Sequence, residues 1–191
     1  MTLQDIPAPA APLLPEPLPQ PLPEPRPQPL PEPLSAPSLR AVLGRFATGV
    51  TIITCRDAEG RAVGLTANSF TSLSLDPPLV LWSLRRASSS LAAFQAAEHF
   101  AINVLAETQV DLSRRFAAAT TDKFADGVWV DGHGGAPVLG GCAAVFECRT
   151  ETRQVVGDHV LFIGRVLRLA DLAVAPLLFQ GGHYRMLGEV L

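Results

Sequence analysis

CAAVFECRTETRQVVGDHVLFIGRVLRL, residues 142–169, is the stretch that decides the fold. It reads as two long strands, about Cys142–Val155 and His159–Leu169, hinged at Gly157-Asp158. Upstream, Leu79–Leu84 is a continuously apolar strand and His99–Leu105 is another. Gly49–Cys55 and a return strand over about Ala62–Phe70 flank Arg56-Asp57-Ala58-Glu59-Gly60, a hairpin turn. Asp76-Pro77-Pro78 resets the chain before the apolar strand, and Phe179–Leu187 closes it as a hairpin-like stretch around Gly181-Gly182. Six or more strands against three short helices make a mainly β protein, a barrel with helical decoration. A parallel sheet is disfavoured because most strand-to-strand links are too short to hold a crossover helix.

The helices are read from spacing and caps. Ser38 starts the ordered part: a cap residue is followed by apolar positions 39, 42, 43 and 46. One of Ser88, Ser89 and Ser90 caps a helix over Leu91–Ala97, and Val110–Ala117 carries Leu112 and Phe116 opposite a pair of arginines. Ala118–Pro137 is polar and glycine-rich, hence a long loop. Residues 1–37 differ in kind. They hold 14 of the 18 prolines, and each proline fixes φ and removes a donor, so they read as an extended or disordered tail ahead of a domain over 38–191.

Charge and cysteine usage exclude several classes. The tail is net −3, while 14 acidic and 14 basic residues balance from Ser38 onward. That leaves no concentrated basic surface for a nucleic-acid backbone. No run of 18 apolar residues and no secretory leader pattern are seen, so a cytoplasmic protein without a membrane segment is expected. Cys55, Cys142 and Cys148 form no CxxC pair and lie in apolar runs, as small hydrophobes of a core do. His99, His133, His159 and His183 are too scattered for ligand spacing, so no metal site is expected. The motifs of serine hydrolases, P-loop proteins, zincins and Rossmann dinucleotide sites are missing.

Three places could hold chemistry. In Gly64–Ser74, five hydroxyls and an amide crowd a strand end between very apolar neighbours. Small residues there let a flat ring approach the backbone, although local turn bonds account for the same composition. In Ser83–Leu91, Arg85 and Arg86 precede a serine-rich helix start, either an anion site or a capped helix with solvated arginines. Together the two clusters fit one nucleotide-like ligand with an aromatic head and a phosphate tail. His159 stands beside Asp158 at a strand entrance and can address a ligand or simply be held by that carboxylate.

At these residues the sequence resembles the flavin reductase-like family, over about Leu39–Leu187. The phrases are FATGVTIIT (46–54), GLTANSFTSLSLDPPLVL (64–81), FAINVL (100–105), LSRRFA (112–117), KF (123–124), GDH (157–159) and YR (184–185), in the family's order. The resemblance implies an FMN-binding split β-barrel with short flanking helices, working as a homodimer with FMN or FAD at the subunit interface. It implies hydride transfer from NADH or NADPH to the flavin, and delivery of reduced flavin to a separate flavin-dependent monooxygenase. The isoalloxazine ring is expected on Thr66, Ala67, Asn68 and Ser69, and the phosphate end near Ser72, Arg86, Ser89 and Ser90. Asn103, Val104 and Leu105 are expected along the ribityl or adenylate side, and Phe116 near the ring. His159 is expected to place the nicotinamide and is the one residue given a catalytic part; Tyr184 and Arg185 complete the pocket. Rivals are a pyridoxamine-phosphate-oxidase-like barrel, a flavoredoxin-like carrier without reductase activity, and a structural barrel with a proline-rich docking tail.

Overall fold

The computed structural model describes residues 34–189. In chain order these form α1 (Ala36–Leu43), β1 (Thr48–Gly49), β2 (Thr51–Arg56), β3 (Ala62–Ala67), β4 (Thr71–Leu75), β5 (Pro78–Arg85), α2 (Leu91–Ala96) and β6 (His99–Val104). After them come α3 (Val110–Ala117), β7 (Trp129–Asp131), β8 (Pro137–Leu139), β9 (Ala144–Val156), β10 (His159–Asp171), β11 (Leu178–Gln180) and β12 (His183–Arg185). Of the tail expected over 1–37, residues 1–33 lie outside the described residues, and Ala36 and Pro37 already belong to α1.

Seven strands make one antiparallel sheet in the order β3-β2-β6-β9-β10-β5-β4. Its outermost strands, β3 and β4, are consecutive in the chain and joined only by Asn68-Ser69-Phe70. Laid flat, six spacings of ~4.8 Å would hold those edges ~29 Å apart. The link spans at most ~15 Å at 3.8 Å per Cα step. The sheet is therefore rolled until its two edges meet at one end. No ladder joins β3 to β4, so the roll stays split along that seam.

Side chains from across the sheet fill the roll: Ile53 and Cys55, Val80, Trp82 and Leu84, Phe100 and Ile102, Cys148, Val160 and Phe162, plugged by Phe94 of α2. Trp82 stacks on Phe162 at 4.5 Å between centroids and meets Phe94 and Phe100 edge-on. The other face of β2 and β9 is covered too, by α3, β8 and the segment around Leu177, through Ile52, Phe116, Leu139 and Val145. Residues 51–55 are thus buried on both faces, which is why this strand shows no polar alternation. The three cysteines are buried and unpaired, and burial pushes each thiol up to about 12.

The structure corrects four expectations. Helix α1 is capped by Ser35, not Ser38; Ser38 completes the capping box, and Pro37 sits in the first turn, where a missing N–H costs nothing. The strand expected over 62–70 ends at Ala67, and β4 follows as a separate edge strand. Its residues are largely exposed, Leu73 and Leu75 included, so its Ser-Leu alternation does not mark a core face. The region expected as one loop over 118–137 contains β7, paired with β8. The two long strands run to Val156 and Asp171, with irregular register near Gly164 and Leu167. Among the described residues no helix is long and apolar enough to cross a membrane.

Candidate functional site

A groove of about 980 Å³ opens at the seam, where β3 has no neighbouring strand. The β2 side of the ladder takes the odd residues of β3: Asp57 N donates to Arg61 O, and Thr51 Oγ1 donates to Ala67 O at 2.7 Å. The main-chain groups of Ala62, Gly64 and Thr66 therefore point the other way, along the groove. The result is an open sheet edge of small residues, a row of alternating donors and acceptors that a complementary planar edge can pair with.

Gly64 is required by space. A Cβ there would sit 2.7 Å from Phe116 Cε1 and 3.2 Å from Phe124 Cζ, so the Phe116 ring lies against the bare backbone. Phe124 meets Phe116 edge-on at 5.0 Å, and Trp129 packs against both. Lys123 holds this wall in place. Its Nζ donates to Phe116 O at 2.9 Å and to Gly64 O at 3.4 Å, and partial burial pulls its pKa down. The far end of the wall is tied by the ion pair of Arg115 with Asp126.

Of the residues expected to bind ligand, Thr66, Ala67, Asn68, Ser69, Ser89, Ser90, Phe116 and His159 all line this groove. Two of their hydroxyls are already engaged. Thr66 Oγ1 donates to Ser113 O at 2.6 Å, and Ser69 Oγ bridges to both Ser83 O and Ser83 N, fastening the seam. Ser90 precedes α2 without a side-chain cap bond, and its N–H instead donates to Ser88 Oγ at 3.2 Å. His159 Nδ1 lies 2.8 Å from Asp158 Oδ1. A carboxylate can only accept, so Nδ1 carries the proton and Nε2 is left for a ligand. The same bond holds the Asp158 carboxyl below its usual range.

The other expected residues lie off the groove. Arg86 lines an adjoining hollow of about 570 Å³ with Arg85, Gln95 and Asp158. Ser72 sits in β4 opposite Val80. Asn103 is fully buried: it donates to Ile52 O at 3.0 Å and accepts from Leu139 N at 2.8 Å. Leu105 belongs to the second core, and Val104 pairs with Thr51 and Ala144 in the sheet. Tyr184 bonds Ser113 through its hydroxyl at 2.9 Å and lies under Arg114, one step behind Thr66; Arg185 is exposed in β12. Sequence reasoning named Gly64 only as the start of the small-residue stretch and gave no site role to Lys123, Phe124 or the wall over 117–121, all of which line the groove. The signal for Lys123 was its being the sole lysine in a chain otherwise using arginine.

Residues 43–188 match the family described as "Flavin reductase like domain". The chain is 47% identical over 147 residues to "FMN reductase (NADH) SmoA" of Agrobacterium fabrum, covering 77% of this chain and 83% of that protein. It is 44% identical over 146 residues to "Flavin-dependent monooxygenase, reductase subunit HsaB" of Rhodococcus jostii, covering 76% and 74%. Among solved structures, the Streptomyces globisporus NADH:FAD oxidoreductase SgcE6, described as a complex with NAD and FAD fragments, superposes with a TM-score of 0.75 at 38% identity, covering 78% and 91%. Two curated relatives from Rhizobium meliloti are longer, and the chain spans 47% and 64% of their length.

Proposed function

This chain belongs to the flavin reductase-like family, and from that premise we propose that it is an NAD(P)H:flavin oxidoreductase that reduces FMN or FAD for a separate monooxygenase. One observation carries the reading: a strand edge with no neighbouring strand and a bare glycine, walled by Phe116 and facing His159 across one groove. The names of the relatives support the donor and the partner class. A bound flavin supplies the hydride acceptor, and the nicotinamide supplies the hydride.

The chain's own share is positioning. Ala62, Gly64 and Thr66 offer backbone donors and acceptors to a ring edge, and the absent Cβ at Gly64 lets the wall close on it. Ser69 holds the seam at fixed width by its two bonds to Ser83. Asp158 fixes the His159 ring, presenting Nε2 to the nicotinamide side. Hydride transfer between stacked rings needs no side-chain base, which agrees with a groove whose lining has no carboxylate.

We take the working form to be a cytoplasmic homodimer. Exposed Phe46, Val155 and Leu169 offer apolar surface to a second copy, and three unpaired thiols fit a reducing compartment.

The test is oxidation of NADH and of NADPH, followed by loss of nicotinamide absorbance, with FMN and FAD added in turn. Flavin-stimulated turnover is expected; no stimulation with any pair defeats the reading. His159→Ala should raise the apparent KM for the nicotinamide about tenfold, the worth of one hydrogen bond to a ligand. The flavin Kd should move far less. An unchanged nicotinamide KM removes His159 from the site.

A further inference from the structure

The groove is electrostatically one-sided. Arg85 and Lys123 line it and no Asp or Glu does; the carboxylate beside it, Asp158, is engaged by His159 and lies near Arg85, away from the Lys123 bonds to Phe116 O and Gly64 O. Lys123 in particular has no carboxylate partner among the described residues. An ammonium has three N–H donors. Two are directed to Phe116 O and Gly64 O, both neutral carbonyls, so one donor and the whole charge remain for whatever occupies the groove.

A cation placed this way discriminates between charge states of a ring. Oxidised flavin is neutral in its ring system, whereas two-electron-reduced flavin readily loses a proton from its pyrimidine side and becomes an anion. Burial that pulls the Lys123 pKa down is a cost that a nearby anion offsets. We propose that Lys123 is the residue that makes this groove bind the reduced, anionic flavin in preference to the oxidised ring, so that the charge on one side chain sets how firmly the product is held before it passes on. This rests on the flavin reductase reading and adds to it a residue that tunes redox-state specificity.

The experiment is anaerobic equilibrium dialysis of the full chain against FMN, once oxidised and once reduced with dithionite, giving a ratio of the two Kd values. Lys123→Gln keeps an amide that can donate to both carbonyls but removes the charge. It should lower the preference for reduced FMN about tenfold or more, the difference between a charged and a neutral donor. Lys123→Arg should stay closer to the parent ratio than Lys123→Gln, and thermal melts of both should lie near the parent. Weaker binding of both forms at an unchanged ratio would show Lys123 to be only a clamp for the wall, and would overturn the proposal. So would an Arg variant that loses the preference while the Gln variant keeps it. Parent protein that binds neither form of FMN or FAD overturns the flavin reading itself, a result distinct from either.

Discussion

Gly164→Val is expected to destabilise the domain by about 3 kcal/mol or more, the upper range for overpacking a filled core. In a domain of this size, that corresponds to a fall in Tm of roughly 6–12 °C. The cause is space. A Cβ on Gly164 would overlap the Phe100 ring and sit 3.2 Å from Cys148 Cβ. Phe100 cannot retreat, because it abuts Trp82, and Trp82 is sandwiched against Phe162 and Phe94. Each of these rings is buried, so moving one displaces the others through a close-packed interior. Gly164→Ala should show the same sign at smaller size. A thermal melt in which the Val variant falls by less than ~2 °C would mean the rings repack freely, contrary to this account.

The second large effect is expected at the groove. Gly64→Val puts a branched side chain where even one Cβ would lie 2.7 Å from Phe116. The Phe116 ring must then swing, and with it Phe124, which meets it edge-on, and the Lys123 bond to Phe116 O. A displacement of about 1 Å in a positioning wall costs on the order of a hundredfold in kcat/KM. Flavin-stimulated NADH oxidation should drop by that order, and flavin Kd, read from quenching of flavin fluorescence, should rise in parallel. Some loss of Tm is expected as well, since Phe116 also belongs to the second core. A variant with kcat/KM within twofold of the parent would separate Gly64 from the site.

The two glycines were not equally legible. Gly64 stands inside the phrase that carried the resemblance, so its neighbourhood could be singled out even though its contact with Phe116 could not. Gly164 lies mid-strand in an apolar run, and nothing adjacent to it in the chain predicts a phenylalanine 64 positions earlier. Asn103, Val104 and Leu105 show the converse. Their match to a family phrase placed them beside the ligand, but in the folded chain the Asn103 amide satisfies Ile52 and Leu139 inside the sheet. A short polar residue in an apolar strand reads the same whether it faces a ligand or closes a buried backbone gap.

Helix α3, whose span matches the reading from spacing, and the hairpin of the longest strands came from local pattern alone. Apolar spacing, turn residues and prolines act within a few positions, so each survives in one dimension. The amino-acid order also determined that the chain would be an antiparallel, mainly β protein, since its links leave no length for crossovers. The groove was decided elsewhere. Residues 62–69, 83–85, 87–90, 116–121, 123–124 and 159 share it only because a three-residue link between the outermost strands forces the sheet to roll. Which main-chain groups remain unpaired, which hydroxyls are spent on the seam, and where one lysine's last donor is left over all follow from that closure. These are properties of strand register and packing, which bring distant residues together and leave no local trace in composition.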